Sequence, residues 1–264
     1  MSERSLPAPA VPAEAYTDYY FREVSAGATD WSENPTPIHG IYAYVLASLM
    51  ELAPGSLLVD VGCGRGELIA KAAEQGVRAV GVDYAPAAVA LAKLTIEARG
   101  LDGLAQVHQS DARNLPVGDA EADAVSMLDV VEHLLPAELE LALAEAHRIL
   151  KPGGRLVIHT FPNRLIYELT YRWLRRLVPG GERRWPADPR TSWEREMHVN
   201  EQTLRGISRA VDGAGFRERH AWYGAWIYTD FVPSRLAALI YQVLARTPGL
   251  KGAGRANILL TARR

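Results

Sequence analysis

Apolar positions in the middle of the chain form short runs that are separated by amphipathic helical patterns. The runs predict five strands, at residues 57–61, 79–83, 105–109, 124–128 and 155–160, with helices between them at residues 67–75, 86–99 and 136–150. A strand, a helix and a further strand form a right-handed crossover that places neighbouring strands in parallel. We therefore predict an α/β fold with a parallel sheet, in which ligands bind at the carboxyl ends of the strands.

The pattern continues on both sides of this region. Helices are predicted at residues 13–25 and 39–52, before the first strand, and at residues 201–214, where Gly215 follows as a stop signal. Residues 216–223 and 256–262 have the pattern of two further strands. The prediction is thus a seven-stranded, mostly parallel sheet with helices on both faces, and an insertion separates its last two strands.

The first predicted strand ends in a glycine-rich turn. Asp60 lies inside the strand, and Gly62, Gly64 and Gly66 follow it at alternate positions. A turn of this kind lets a ligand approach the backbone closely. Asp83, at the end of the second strand, is placed to accept both hydroxyls of a ribose. The sequence therefore predicts a nucleotide-like cofactor.

The charge of the turn narrows the identity of that cofactor. A dinucleotide site requires glycine at position 67, but this residue is Glu67, and the third glycine comes one place early, at Gly66. Together with Asp60, Glu67 makes the turn acidic where a pyrophosphate would lie on helical N–H groups. A cationic cofactor therefore fits this turn better than a phosphate.

In these residues the chain resembles the class I S-adenosylmethionine-dependent methyltransferases, whose first motif has the form acid-x-G-x-G-x-G. Segments 83–84, 110–112, 123–129 and 149–158 resemble the later motifs of the family, in the same order. The resemblance covers residues 57–160 and implies a Rossmann-like fold with S-adenosylmethionine as the cofactor. The cofactor-binding residues that it implies are Asp60, Gly62, Cys63, Gly64 and Gly66 at the methionine end, Asp83 and Tyr84 at the ribose, Asp111 and Ala112 at the adenine, and Leu128 and Tyr20 elsewhere in the pocket. For Tyr20, plain packing of an N-terminal helix is the alternative.

Two histidines are candidate catalytic groups. His133 follows the fourth predicted strand, where a histidine faces the methyl group in many relatives, and His159 ends the fifth strand. Either is suited to act as a general base, although a bracing role for His133 and a core role for His159 remain open. The spacing of Asp129, Glu132 and His133 is similar to that of metal-binding methyltransferases. Because Asp129 has a shorter side chain than the glutamate of those relatives, we predict no metal.

Two segments exceed the minimal family core, and we expect them to determine the substrate. Residues 161–200 predict a helical lid, whose helix at residues 164–178 would carry Leu165, Leu169, Trp173 and Leu177 on one face. Either that stripe packs on the sheet, with the lid arginines solvated or paired, or the lid forms an aromatic and basic pocket for an anionic or amphiphilic substrate. Residues 232–250 predict an apolar helix that is too short to span a bilayer. It is a buried helix, a homodimer face or a peripheral contact with a membrane or a lipid-like substrate.

Composition favours one domain, because 264 residues with 48% hydrophobic content can bury one full core. We predict a disordered tail at residues 1–12 and a single domain at 13–264. Its parts are an N-terminal helical cap (13–54), the cofactor-binding core (55–160), the lid (161–200) and the C-terminal part of the sheet (201–264). A net charge of −2 without a visible RNA-binding motif argues against nucleic acid as a partner. The lone Cys63 and the lack of a signal-peptide pattern favour the cytoplasm.

The resemblance implies an enzyme that moves a methyl group to a small-molecule acceptor by in-line displacement, at oxygen in our primary interpretation. Methylation at carbon or nitrogen of a lipid-like or anionic metabolite is the first alternative. Aminopropyl transfer from the same cofactor and a noncatalytic cofactor-binding partner protein are the others. Detection of the product distinguishes these interpretations.

Overall fold

In the described part of the chain, seven strands form one sheet in the order β3-β2-β1-β4-β5-β7-β6. The computed structural model describes residues 6–25, 40–48, 50–178, 180–225 and 234–264. The strands are β1 (Leu57–Val61), β2 (Arg78–Asp83), β3 (Ala105–Gln109), β4 (Ala122–Leu128), β5 (Leu150–Thr160), β6 (Arg217–Tyr223) and β7 (Ile258–Arg263). Strands β1 to β5 pair in parallel, whereas β7 pairs antiparallel with both β5 and β6. The predicted seven-stranded, mostly parallel sheet is confirmed.

Helices cover both faces of this sheet. They are α1 (Gly40–Ser48), α2 (Glu67–Glu74), α3 (Pro86–Ala98), α4 (Pro136–Ile149), α5 (Arg172–Leu177), α6 (Gly181–Arg184), α7 (Ser192–Met197), α8 (Leu204–Gly213), α9 (Arg235–Arg246) and α10 (Lys251–Gly254). Alternate residues of β1 point to opposite faces. Leu58 belongs to the buried cluster that contains α1 and α2, whereas Val59 belongs to the cluster that contains α4 and α8. Burial on both faces explains why β1 is apolar at nearly every position.

Two helical segments extend beyond this core. After β5, a π-helical segment at Ile166–Tyr171 leads into α5, and together they form the lid helix, residues 166–177. Helices α6 and α7 complete the predicted lid, and α9 and α10 form the predicted insertion between β6 and β7. The lid helix and α9 share a buried cluster of their own, separate from the clusters of the sheet. Across the described ranges, every helix is too short or too polar to cross a bilayer.

One of our two interpretations placed the predicted stripe of the lid helix on the sheet, but most of that stripe is exposed. Leu169, Trp173 and Leu177 are exposed and Leu165 is half-buried, whereas the buried residues of this helix are Ile166, Thr170 and Leu174. The interpretation in which the predicted stripe packs on the sheet is therefore wrong. The lid helix is instead turned towards α9, whose Tyr241 donates its hydroxyl to the carbonyl oxygen of Ile166 at 3.2 Å.

The N-terminal region is less regular than predicted. In place of one helix at residues 13–25, a 3-10 turn at Ala13–Ala15 is followed by a π-helical turn at Tyr20–Val24. The predicted disordered tail is wrong for residues 7–11, because Val11 is buried and other residues of this stretch bind the core. Parts of several predictions lie outside the described residues, namely 1–5 of the tail, 26–39 and 49 of the N-terminal cap with its second helix, 179 of the lid, and 226–233 of the C-terminal part with the start of the apolar segment.

Candidate active site

A cavity of about 670 Å³ lies at the carboxyl ends of β1, β2 and β4. Its volume is typical of small-molecule and cofactor sites. The predicted site residues that line it are Asp60, Gly62, Cys63, Gly64, Asp83, Tyr84, Asp111, Ala112, Leu128, Tyr20, His133 and His159. Gly66 is the exception, because it precedes α2 and packs against α3. Topology thus brings together nearly all of the candidates, from distant parts of the chain.

Two glycines of the turn are required by their surroundings. Gly62 has a φ of +73°, and a Cβ atom there would collide with Cγ2 of Val130. Gly66 has a φ of +78°, and its Cβ would lie 3.0 Å from Cα of Ala92 in α3. A side chain at either position would strain the backbone and push two elements apart. The turn at Gly62 can therefore present bare backbone to the cavity.

Asp83 at the end of β2 organises this turn. Its Oδ2 accepts a hydrogen bond from the backbone N–H of Gly64 at 3.0 Å, and its Oδ1 accepts one from Ala85 at 2.9 Å. Burial raises the pKa of Asp83 to about 6, although these N–H groups favour its ionised form. Each carboxylate oxygen can accept a further bond, so Asp83 can still bind the hydroxyls of a ligand.

Asp60 is a second buried carboxyl group beside the turn. Its Oδ1 accepts from the hydroxyl of Ser126 at 2.6 Å. The pKa of Asp60 is raised to about 7, mainly by burial and in addition by the negative charges of Asp83 and Glu67. The hydrogen bond from Ser126 lowers the pKa and only partly offsets the rise. In the protein alone, Asp60 is therefore close to half protonated at neutral pH. A cation placed next to it would restore its ionised form.

Glu67, the third acid of the turn, forms a buried ion pair. Arg65 and Glu67 are both nearly inaccessible, and Nη2 of Arg65 lies 2.8 Å from Oε2 of Glu67. Arg65 also donates to the carbonyl oxygen of Phe21 at 2.6 Å and to Oγ of Ser25, which holds the N-terminal segment against the turn. The charge of Glu67 is thus balanced by the protein. The acids suited to a cationic ligand are Asp60 and Asp83.

Asp111 is held by a neighbouring arginine. Its Oδ1 accepts from Nε of Arg113 at 2.9 Å, and its Oδ2 accepts from Nη2 at 2.8 Å. Arg113 also binds Glu138 and the carbonyl oxygen of Pro7. Glu138 in turn accepts from the backbone N–H of Ala10 at 2.9 Å. These contacts fix the orientation of Asp111 and order residues 7–11 beside the cavity.

Aromatic rings close the cavity on the opposite side. The ring of Tyr20 stacks on Trp193 of α7, with centroids 5.0 Å apart and an angle of 15° between the planes. Tyr16 meets His133 edge to face at 5.7 Å. The N-terminal segment and the lid therefore meet over His133. Tyr20 lies in the cavity wall as predicted, and its observed ring contact is with the lid.

His133 is held in one tautomer. Its Nδ1 lies 3.0 Å from the carbonyl oxygen of Met197, and since a carbonyl only accepts, Nδ1 carries the proton and Nε2 keeps a lone pair. Burial and the neighbouring His198 lower the pKa of His133 to about 4, so the ring is neutral at physiological pH. Within the described ranges, no protein group bonds to Nε2. The cavity wall thus contains a proton acceptor.

His198 extends this part of the wall. Its ring lies 4.9 Å from that of His133, centroid to centroid, and burial lowers its pKa to about 4. Its Nδ1 is buried and has no hydrogen-bond partner among the residues that the structure describes. Two neutral imidazoles therefore stand side by side next to Trp193.

His159 has a different environment. Its Nδ1 lies 2.7 Å from Oδ1 of Asp129, and its Nε2 lies 2.8 Å from Oδ1 of Asn257. Burial alone would lower the pKa of His159, but Asp129 and Asn257 raise it above the usual value. Both ring nitrogens are therefore in contact with protein oxygens, which makes His159 less suited than His133 to act as a base. The backbone of its neighbour Asp129 is in the left-handed region at φ +56°.

Glu132 braces the loop after β4. It is almost completely buried and accepts from Oγ1 of Thr160 at 2.9 Å and from the backbone N–H of Phe161 at 3.4 Å. Burial and the charge of Asp129 raise the pKa of Glu132 to about 8. The side chains of Asp129, Glu132 and His133 each have a different partner. Among the described residues, no group of three or more His, Cys, Asp or Glu side chains is arranged to hold a metal ion.

The arginines of the lid do not reach the cavity. The described lid residues that line it are Phe161, Trp193, Glu194 and His198. Arg164 pairs with Glu168, and Arg190 pairs with Asp188 and Glu201. The interpretation of the lid as a basic pocket is therefore wrong. Of the lid tryptophans only Trp193 lines the cavity, because Trp173 is exposed and Trp185 packs in the separate cluster with α9.

Several residues of the cavity wall were not predicted from the sequence. Asn257 directly precedes β7, and its place at the end of a predicted strand could have indicated that it lies near the site. Arg65 lies inside the motif, but its partners Phe21 and Ser25 are 40 or more residues away in sequence. No local pattern marks Tyr42, which lines the cavity from α1.

Part of the chain matches a known domain family. Residues 59–158 match a family model described as a methyltransferase domain. The chain is 37% identical, over 135 residues, to a demethylmenaquinone methyltransferase of Thermus thermophilus, covering 49% of this chain and 59% of the relative. It is 28% identical, over 201 residues, to a ubiquinone biosynthesis O-methyltransferase of Xylella fastidiosa, covering 71% of this chain and 79% of the relative. The chain thus spans little more than half the length of the Thermus relative.

A solved structure supports the same fold. The geranyl diphosphate C-methyltransferase of Streptomyces coelicolor, in complex with Mg²⁺, geranyl diphosphate and S-adenosyl-L-homocysteine, superposes with a TM-score of 0.63 at 17% identity. The superposition covers 98% of this chain and 100% of that chain. The chain therefore contains a methyltransferase domain at residues 59–158 and has the fold of S-adenosylmethionine-dependent methyltransferases, and both findings support S-adenosylmethionine as its cofactor.

Proposed function

We propose that this protein methylates an oxygen atom of a small-molecule acceptor, with His133 as the general base. The observation that carries the proposal is the neutral imidazole of His133, which presents Nε2 in the wall of the cavity that contains the cofactor turn. A hydroxyl group must lose its proton when it is methylated, and a neutral imidazole can accept it. The relative named as an O-methyltransferase supports the choice of oxygen.

The residues present fit the cofactor. The backbone at Gly62 and Gly64 gives a ligand close access, and Asp60 and Asp83 supply negative charge for a sulfonium and an ammonium group. Asp83 is the residue that would bind the ribose. Asp111, whose side chain remains 25% exposed, and the backbone of Ala112 would bind the adenine.

The protein contributes mainly alignment and proton transfer. S-adenosylmethionine, when bound, would supply the methyl carbon, and the electron pair of the broken carbon–sulfur bond would remain on the sulfur as a neutral thioether. Tyr20 and Trp193 cover the acceptor and exclude water, and Nε2 of His133 takes the hydroxyl proton. Alignment of an acceptor oxygen about 3 Å from the methyl carbon, in line with the breaking bond, supplies most of the acceleration. Asp129, oriented by His159, is placed to bind a second polar group of the acceptor.

The raised pKa of Asp60 predicts that cofactor binding depends on pH. The ammonium group requires the ionised carboxylate, so binding releases a proton wherever Asp60 is protonated in the free protein. The Kd for S-adenosylmethionine will therefore fall as the pH rises from about 6 to about 8, by up to about tenfold per unit below the pKa near 7. Calorimetry in two buffers of different ionisation enthalpy measures the released proton. Equal heats in both buffers, or the same pH dependence in Asp60→Asn, would contradict this assignment.

Methylation at carbon or nitrogen of a lipid-like acceptor is the second candidate. It is favoured by the rings of Tyr16, Phe161 and Trp193 in the cavity wall, and by the geranyl diphosphate bound to the similar structure. No described arginine of the lid lines the cavity, so an uncharged or weakly charged acceptor fits better than a strongly anionic one.

Transfer of an isotopic label tests the function. The purified protein is incubated with S-adenosylmethionine labelled with ¹³C or ¹⁴C at the methyl group and with a metabolite extract, and the label is then partitioned into organic, aqueous, protein and nucleic-acid fractions. We expect the label in a small molecule, and the ¹³C chemical shift of the isolated product distinguishes a methoxy group from a C-methyl or N-methyl group. Label in protein or nucleic acid contradicts the acceptor class. Cofactor binding with no label in any fraction favours a noncatalytic cofactor-binding protein.

A further inference from the structure

We propose that the protein docks on anionic membrane surfaces through a face formed by the lid helix and α9. This docking face consists of Leu169, Trp173 and Leu177 of the lid helix and Leu236, Leu239 and Val243 of α9, together with the basic residues beside them. The proposal concerns a surface outside the cavity, and it does not depend on methyl transfer.

The lid helix contributes a continuous exposed stripe. Leu169, Trp173 and Leu177 follow one another at intervals of four residues, which places them on one side of a helix. Trp173 is 56% exposed and Leu177 is 69% exposed. Isolated exposed apolar residues are common in proteins, but a row that includes tryptophan is typical of an interaction surface.

Helix α9 contributes a second exposed stripe. Leu236, Leu239 and Val243 lie at positions i, i+3 and i+7, and each is more than half exposed. Ala237, Tyr241 and Ala245 form the opposite, buried side of this helix. A helix with small or hydrogen-bonded residues inside and large aliphatic residues outside has the reverse of the usual arrangement for a soluble domain.

Both stripes are held in place by the fold. The buried cluster between the two helices contains Tyr171 and Leu174 of the lid helix with Ala237 and Tyr241 of α9. The hydroxyl of Tyr241 donates to the carbonyl oxygen of Ile166 at 3.2 Å. Each helix uses one side for this cluster, so its apolar stripe on the other side cannot turn inward without breaking these contacts.

Charge determines which partner fits this face. Residues 164–184 contain six arginines and two glutamates, and residues 235–251 contain three exposed basic residues and no acid, although the whole chain has a net charge of −2. Arg172, Arg183 and Arg184 are exposed and form no ion pair with any described residue. Apolar residues flanked by basic ones are the pattern of helices that lie in the interface of an anionic bilayer.

The same charges disfavour a second copy of this chain. A symmetric dimer through this face would bring the two basic sets together, and like charges in a buried interface repel each other. An anionic bilayer instead neutralises them, while the aliphatic side chains and Trp173 enter the boundary between headgroups and acyl chains. The basic side chains can keep their charged ends at the headgroups.

Docking of this kind would place the cavity near the membrane. Phe161 packs against the cluster beneath the docking face and also lines the cavity. The lid therefore connects the bilayer side of the protein to the site. A lipid-like acceptor could reach the site from the membrane without crossing bulk water.

Vesicle binding tests the proposal with the full chain. Flotation is measured with vesicles of phosphatidylglycerol and phosphatidylcholine, with vesicles of phosphatidylcholine alone, and at low and high salt. We expect binding to the anionic vesicles, and at least about tenfold weaker binding to the neutral ones and at high salt. Leu169→Glu/Trp173→Glu, Leu236→Glu/Leu239→Glu and Arg172→Glu/Arg183→Glu should each reduce binding by about tenfold or more.

Matched substitutions elsewhere serve as controls. Leu94→Glu/Leu141→Glu changes two exposed leucines of α3 and α4, and Arg205→Glu/Arg209→Glu changes two exposed arginines of α8. These controls should bind vesicles as the wild type does. Circular dichroism and cofactor affinity show whether each variant is folded.

Three results would overturn the proposal. The first is no binding of the wild-type protein to anionic vesicles, and the second is equal loss in the control variants. The third is a wild-type protein that sediments as a dimer and does not bind vesicles, and whose docking-face variants sediment as monomers. That result would assign the face to a second copy of the chain.

Discussion

Replacing His133 with asparagine will lower kcat by about 10²–10⁴-fold while leaving the Kd for S-adenosylmethionine nearly unchanged. Asparagine can still donate an N–H to the carbonyl oxygen of Met197, so the loop stays in place, but it offers no basic nitrogen to the acceptor. The measurement is the rate at saturating cofactor, with cofactor affinity from calorimetry. A similar substitution of His108, which is exposed on β3, is the matched control.

The pH dependence of the rate provides a second check on His133. Because its pKa lies near 4, the neutral base is present throughout the neutral range, and protonation removes it only as the pH falls towards 4. At saturating cofactor, kcat should therefore show no decrease near pH 6.5, where an ordinary histidine titrates. Near-normal turnover of His133→Asn would exclude the histidine as the base and would favour Asp129 in that role.

Gly62→Ala will have the largest effect on folding and cofactor binding. A residue with a side chain at a φ of +73° is strained by roughly 1–2 kcal/mol. The new methyl group also collides with Cγ2 of Val130, and overpacking of this kind costs about 1–3 kcal/mol. We expect the free energy of unfolding to fall by about 2–5 kcal/mol. Urea denaturation measures that loss, and calorimetry measures the accompanying loss of cofactor affinity.

Two further variants separate strain from collision. Gly153 has a φ of +78°, but a Cβ atom there meets nothing within 4 Å, so Gly153→Ala should show only the strain. Val130→Ala removes Cγ2, the atom with which the new methyl group of Gly62→Ala collides. A double-mutant cycle of the two substitutions should therefore give a favourable coupling energy of about 1–3 kcal/mol. A coupling energy near zero would show that Val130 moves aside freely and that strain alone accounts for the effect.

The sheet could be predicted well because its signals are local. Strands β1 and β3 have the predicted bounds, and β2, β4 and β7 differ by only one or two residues at either end. The start of β5 was missed because it lies at Leu150, before the Lys151-Pro152-Gly153-Gly154 turn. There the pairing with β4 shifts between Ala122 and Ala124, which no apolar periodicity shows.

The orientation of the lid helix could not be predicted from periodicity. Five of the seven positions from 165 to 171 are apolar or aromatic, so two different sides of the helix have a hydrophobic stripe. The side that is buried is the one that packs against Ala237 and Tyr241, which lie about 70 residues further along the chain. Likewise, the composition of residues 1–12 suggested disorder, but Arg113 and Glu138 bind the backbone of Pro7 and Ala10.

Most of the candidate site residues lie together in one cavity, and their roles stay predictions. The glycine turn, Asp83 and Asp111 are close in sequence to their strands, and the strand ends determine where they meet. The protonation of each histidine depends on partners that only the fold supplies, Met197 for His133 and Asn257 for His159. That is why the two histidines looked equivalent in the sequence and differ in the structure.

The position of β7 has a consequence for the synthesis of the protein. β7 lies between β5 and β6, although it follows both in the chain, so the pairing edges of these two strands stay open until residues 258–263 have left the ribosome. An open edge on an apolar strand can pair with other nascent chains. His159 also lacks Asn257 until that moment. The cavity therefore lacks part of its wall until Asn257 and β7 have been synthesised, and a nascent chain stalled before β7 exposes both open edges.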